Sequence, residues 1–326
     1  MTHDQFEVLS NQAIAICGAA YFVALLLHLA EWAAGRRVPV DAPVAATVGA
    51  GAESRPTEAA EAAEVEDHDA AEKMERFGRW GLVATIVAAG VHLVAVVSRG
   101  LAADPVRVPW GNMYEFTMTG TLVVVAGYLL MYRRFSLQWL SPVVTGFVLI
   151  TLMVDVLLLY TPVVPLRDAL QSPWLVIHVI AAITATGAFT LGGMASVLYL
   201  IKERWLERGG SEASNGYLAR LPGLNELDRM AYRTHAFAFP VWTFAALIAG
   251  PIWAQAAWGR YWGWDPKEVW AFITWVVYAA YLHARATAGW KGRAAAIIAL
   301  IGLATLWFNF VGINFFFGSG SQHSYA

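Results

Sequence analysis

The sequence predicts an all-α fold: a polytopic integral membrane protein of about eight transmembrane helices, with both termini on the outer side. Three observations predict it. Of the 326 residues, 58% are hydrophobic and only 14% charged, more apolar chain than the core of a soluble domain can hide. Eight apolar runs approach the ~20 residues that one bilayer crossing needs, and inside lipid such runs satisfy their backbone only as helices. Of the 22 Lys and Arg residues, all but Arg99, Arg107, Arg167, Arg260 and Lys267 fall in alternate connecting segments. The positive-inside rule then puts both ends of an eight-span chain outside.

Taken in order, the first run, 12–34, follows Asp4 and Glu7 rather than a basic segment and carries no clear small-residue cleavage site. It is expected to remain as a span, so that 1–34 forms an N-terminal transmembrane helix. Residues 35–79 begin rich in Pro, Gly and Ala and continue rich in Ala and Glu, the composition of a flexible cytoplasmic linker followed by a short polar helix. His68 there is read as a solvated surface residue. The remaining spans are expected at 80–98, 114–132, 139–159, 174–201, 236–257, 269–287 and 294–316, so that 80–326 forms one membrane core.

The composition also excludes function classes. A net charge of -2 provides no basic field for nucleic acid. Cys17 is the single cysteine, which rules out a disulfide framework, a Cys-x-x-Cys pair and a thiolate metal cluster; it is read as an apolar packing residue. The chain has no internal repeat, no Walker loop and no dinucleotide fingerprint, so it carries no sign of ATP-driven transport.

Chemistry concentrates between Trp258 and Trp270, "WGRYWGWDPKEVW". Asp265, Pro266 and Glu268 fit the N-cap, N1 and N3 positions of a helix start. The aromatics before them, Trp258, Tyr261, Trp262 and Trp264, fit either an interfacial belt or a flat platform for a planar ligand such as haem. Haem iron takes imidazole as an axial ligand. His178 lies about one turn inside the outer end of the fifth span, and His323 lies seven residues past the last span on the same side. His283 falls in the inner half of the seventh span, where a hydrogen bond to a neighbouring helix and ligation of haem both fit; His28 reaches a similar depth and is its candidate mate. For His28 and His92 a helix-to-helix hydrogen bond is the leading reading. His235, at the start of the sixth span, is expected to be solvated or interfacial. In "VPWGNMYEF", Asn112 and Glu115 read as an N-cap with its capping glutamate, and Trp110, Asn112 and Glu115 are further loop contacts for a ligand.

Together these stretches resemble one family. "WGRYWGWDPKEVWAFITWVVYAAYLHAR" is similar to the tryptophan-rich WWD segment of the CcsA/ResC cytochrome c biogenesis proteins (system II, sometimes labelled CcsB). "WGNMYEF", "LQSPWLVIH" and "GSGSQHSYA" match that family's other marks in the same order, across roughly residues 80–326. The resemblance implies a cell-membrane subunit of a holocytochrome-c synthase (haem lyase), active with a ResB-type partner. Its cargo would be haem b, moved from the cytoplasmic side and presented outside for thioether attachment to a CxxCH apocytochrome c. It implies that His178 and His323 ligate haem iron externally, with Trp258, Tyr261, Trp262, Trp264 and Asp265 as the platform between them. His283 becomes a transmembrane ligand whose mate belongs to the partner subunit, in competition with His28. A thiol-reducing thioredoxin-like protein is a further expected partner. Other readings are a CcmC-like presenter handing haem to a chaperone, a bis-histidine haem-b electron-transfer subunit using His28 and His283, and a scaffold whose tryptophans only fix membrane depth.

Overall fold

A computed structural model describes residues 1–36, 38, 58–165 and 170–317. Residues 37 and 39–57 of the expected linker, Arg167 and the tail carrying His323 lie outside these residues. The described chain is helical without strands. In order, α1 (His3–Gly35), α2 (Glu58–Leu101), α3 (Met113–Tyr132), α4 (Ser141–Val154) and α5 (Pro173–Glu207) are followed by a single turn, α6 (Tyr217–Arg220). Then come α7 (Leu224–Phe244), α8 (Gly250–Trp258), α9 (Pro266–Thr287), α10 (Arg293–Trp307) and the short α11 (Ile313–Phe316). Three π-helical segments, Asp155–Leu159, Ala245–Ala249 and Phe308–Gly312, extend α4, join α7 to α8 and join α10 to α11.

Seven of these segments are long and apolar enough to cross a membrane. The eighth expected span, α9, has the length, at 22 residues, but Lys267, Glu268, His283, Arg285 and its aromatic residues lower its mean hydropathy. It packs within the same bundle, against α10 and α7. The polar helix expected before residue 80 is not a separate element; it is the start of α2, which runs unbroken from Glu58.

α1 and α2 form an antiparallel pair held by polar side chains, each bonded across the helix boundary as a lipid-embedded polar group requires. Ser10 donates to the Ala95 carbonyl at 2.9 Å. His92 donates to the Met118 carbonyl at 2.9 Å and meets the Tyr21 hydroxyl at 3.4 Å. His28 bonds Glu31 and Thr85, each at 3.2 Å. Both ring nitrogens of His28 and of His92 are therefore engaged in helix contacts, as the leading sequence reading has it.

α5 is the central helix, touching α3 on one side and α7 and α10 on the other. One core lies among α1 to α4 and receives Leu198 and Tyr199 from α5; a second lies among α5, α7, α9 and α10. His235 belongs to this second core, which corrects the solvated reading. It is fully buried, with ring centroids 5.3 to 6.0 Å from Phe189, Tyr278 and Tyr281. Its ring sits where a Cβ on Gly192 would be, 2.7 Å away, and neither of its nitrogens has a hydrogen-bond partner among the described residues. The physical reason is helix length: α7 starts eleven residues before His235, carrying it well inside the bundle.

One end of the bundle holds the α3 and α5 N-termini, the α8–α9 loop and α11. Beside them an ion network ties the N-terminus to three other segments. Buried Arg99 donates to Glu115 at 3.3 Å, to Glu7 at 3.5 Å and to the Thr161 carbonyl, and Arg107 meets Glu115 at 2.7 Å. Such a network neutralises charges that would be costly in isolation.

Candidate functional site

The tryptophan-bearing end contains a cavity of about 170 Å³ lined by residues from α3, α5, α8, α9 and the segment after α10. Each wall follows from a local feature. α5 begins with Ser172 as N-cap and Pro173 in its first turn, the Ser172 hydroxyl accepting from the Trp174 amide at 3.3 Å. This start places His178 on the wall between the first and second turns. Its Nδ1 bonds the Ala245 carbonyl at 2.9 Å, and its ring stacks on buried Trp253, centroids 5.8 Å apart and planes 18° from parallel. Ala245 opens the π-helical segment, a form that recurs at functional sites. A Cβ on Gly250 would come within 3.2 Å of the His178 ring and 3.1 Å of the Ala245 oxygen, so glycine there leaves room for the ring.

The loop after α8 is closed by its own acids. Gly259, at φ 72°, ends α8 in the left-handed form, as glycine readily does. Asp265 then caps α9, accepting from the Lys267 amide at 3.1 Å, while Glu268 accepts from the amides of Gly263 at 2.7 Å and Asp265 at 3.2 Å. Asp265 is only 7% exposed, and its cap closes the loop onto the start of α9. Between the two anchors Trp264 adopts φ 58°, a left-handed backbone that costs a non-glycine residue about 1–2 kcal/mol.

The loop aromatics divide. Tyr261 and Trp262 line the cavity. Trp258 packs edge-on to Trp253 at 4.9 Å, behind the wall. Trp264 meets Trp262 edge-on at 5.9 Å but is 70% exposed. Of the "VPWGNMYEF" residues, Trp110 and Asn112 line the cavity. Asn112 caps α3 by accepting from the Glu115 amide at 2.8 Å. Glu115 accepts from Gly111 at 2.8 Å and is otherwise buried in the arginine network, turned from the cavity.

Trp253 and Lys267 are among the cavity residues that escaped the sequence reading. Trp253, the stacking partner of His178, follows Gly250-Pro251, a pair that signals a local break in a helix and so a displaced face. Lys267 sits inside the Asp-Pro-Lys-Glu cap, where the capping pattern alone accounted for its neighbours. It also lines the cavity, as Trp262 does.

His178 and His283 are not brought together. His283 is exposed on α9, two residues before Arg285, which pairs with Asp228 near the start of α7; the cavity lies at the other end of both helices. Nor does the structure bring His28 to His283, since His28 is bonded within the α1–α2 pair.

The arrangement is an aromatic cleft with one oriented imidazole and one amine, at the end of a helical membrane bundle. Residues 110–319 match the model of the cytochrome C assembly protein family. The chain belongs to that family. It is 34% identical to the cytochrome c biogenesis protein CcsA of Trieres chinensis over 277 residues, 76% of this chain and 86% of the relative. It is 36% identical to CcsA of Prochlorococcus marinus, covering 67% of this chain and 75% of that protein. The match to CcsA of Chlamydomonas reinhardtii is 41% over 162 residues, 43% of that relative's length. Among solved structures, the cytochrome c haem lyase CcmF superposes on 95% of this chain with a TM-score of 0.62 and 16% identity, the chain spanning 47% of CcmF; that likeness concerns the fold. This CcsA-type chain is thus a multi-pass membrane protein of cytochrome c biogenesis.

Proposed function

We propose that this chain handles haem b as its cargo: it accepts haem within the membrane and presents it in the tryptophan-lined cleft for attachment to CxxCH apocytochrome c. The observation that carries the reading is His178, an imidazole held by a backbone carbonyl at the wall of an aromatic cleft. A carbonyl oxygen only accepts, so the neutral ring bonded to it carries its proton on Nδ1 and its lone pair on Nε2, the form that ligates iron. The aromatic walls suit a porphyrin plane.

The second external ligand is assigned to His323. It follows Phe316 by seven residues, and an extended chain of that length reaches about 24 Å; Asn314, just before the tail, already lines the cleft. His283 is assigned to a transmembrane haem. Because that side chain faces outward on α9, its mate is sought on a ResB-type subunit rather than on His28. The cleft end is assigned to the outside by the distribution of Lys and Arg, and the membrane to the cell membrane.

Attachment is an addition. Each cysteine sulfur forms a bond to a haem vinyl carbon and the thiol hydrogen goes to the other vinyl carbon, so nothing is oxidised or reduced. The synthase supplies orientation and proximity, and a thioredoxin-like protein would keep the thiols reduced.

The test is co-expression of the chain, its ResB-type partner and a CxxCH apocytochrome in cells lacking other cytochrome c maturation proteins. Covalent haem on the apocytochrome is expected, and none when the chain is omitted. Haem bound by the chain but attached only after a haem chaperone is added would replace the synthase reading with that of a presenter.

A further inference from the structure

We propose that Lys267, together with the indole N–H of Trp262, is a carboxylate anchor that holds a haem propionate and so fixes which edge of the macrocycle faces out of the cleft. The inference rests on the haem reading above and adds the polar recognition of the cargo.

Three observations carry it. Lys267 is the one Lys or Arg side chain among the described residues lining the cleft. Its ammonium has no ion pair or hydrogen bond among the described residues, because the adjacent acids are occupied elsewhere: Glu268 accepts from two loop amides, and Asp265 accepts from the backbone amide of Lys267. Trp262 lines the same cleft, and its Nε1 is buried with no hydrogen-bond partner among the described residues. A buried indole N–H normally finds an acceptor, and an ammonium beside apolar walls needs a counter-charge. One carboxylate satisfies both, accepting a hydrogen bond from each donor.

The electrostatics agree. Burial lowers Lys267 from 10.5 to about 8, while the Asp265 charge pulls it back up. The lowering prevails, so burial of the ammonium outweighs the Asp265 charge in the empty protein. Propionates and vinyl groups occupy opposite edges of haem b. Anchoring the propionate edge at the start of α9 therefore directs the vinyl edge away from Lys267, toward incoming thiols.

The full-length chain, purified in detergent, is titrated with iron protoporphyrin IX and with its dimethyl ester, which keeps the ring and iron but removes both carboxylates. The wild type is expected to prefer the diacid about ten-fold, equivalent to about 1.4 kcal/mol. Lys267→Gln should abolish that preference while binding the ester as the wild type does, which also shows that the variant is folded. Should Lys267→Gln fail to fold, Trp262→Phe keeps the aromatic wall and is expected to reduce the preference. Equal affinity of the wild type for diacid and ester, or a preference unchanged in the folded variants, overturns the anchor and leaves the haem reading intact. A wild-type chain that binds neither porphyrin overturns both.

Discussion

His178 Nδ1 donates to the carbonyl oxygen of Ala245 across 2.9 Å, linking the second turn of α5 to the first residue of a π-helical segment. The bond sets both the orientation and the tautomer of the ring. Gly250 makes it possible, since a Cβ there would press on the ring at 3.2 Å and on the Ala245 oxygen at 3.1 Å. Gly250→Ala is therefore expected to tilt the imidazole without touching the ligand. Loss of an outer partner to a ligating histidine typically costs about 10–100-fold, and a fall near the lower end is expected in haem affinity at the cleft. Thermal stability should hold or rise, because Ala favours helix over Gly by about 1 kcal/mol. Absorbance titration beside a thermal melt separates the two effects; a parallel loss of both would attribute the change to misfolding.

His283 makes the opposite demand. Its ring is exposed on α9, and Thr287 bonds only its backbone carbonyl. His283→Gly is expected to remove the haem that co-purifies with the two-subunit complex, and added imidazole to restore it, since the vacated space accepts a free ring. His178→Gly should instead leave that haem in place and impair attachment. Pyridine haemochrome assays on the membrane complex, beside gel haem staining of the apocytochrome, read the two quantities separately.

Much of this architecture is legible in the sequence because bilayer thickness and backbone hydrogen bonding leave few choices. The positions of α1, α3, α4 and α5, the membrane part of α2, the Asp265 and Asn112 caps and the placement of His178 near a helix start all follow from run length and capping chemistry; the extension of α2 back to Glu58 does not. Three other things do not. Asp228, Arg229 and Arg233 lie in the first turns of α7 and obscure its start, so His235 is assigned to the surface when it is in the core. The π-helical segments shift which face of α8 looks inward, and Trp253 is missed with it. Lys267 is concealed by its own neighbours, since the cap around it is complete without its side chain.

His235 is a polar ring packed among Phe189, Tyr278 and Tyr281 with neither nitrogen hydrogen-bonded among the described residues. Burying such a group without partners costs about 1–3 kcal/mol. His235→Leu removes that cost while filling most of the volume, so the thermal midpoint in detergent is expected to rise by a few degrees with haem binding unchanged. A lower midpoint would mean that the imidazole is bonded in the working protein, by water or by a group that enters the core.

The charge on Lys267 should set a pH limit on cargo binding. Only the ammonium form anchors a carboxylate, and burial lowers the pKa of that form in the empty cleft to about 8, against 10.5 for an ordinary lysine. Below about pH 8 the site is charged before haem arrives, and the preference for diacid over ester is fully present. Above that value each binding event must first take up a proton. Affinity for the diacid should then fall by up to ten-fold per pH unit until the ester is bound equally well, whereas an exposed lysine would keep its preference to about pH 10. Propionates themselves stay ionised throughout this range, and the ester acts as the internal control for His178 and the aromatic walls. Titrations of both porphyrins between pH 7 and 10 measure the break directly. In Lys267→Gln the two curves should run parallel across the whole range.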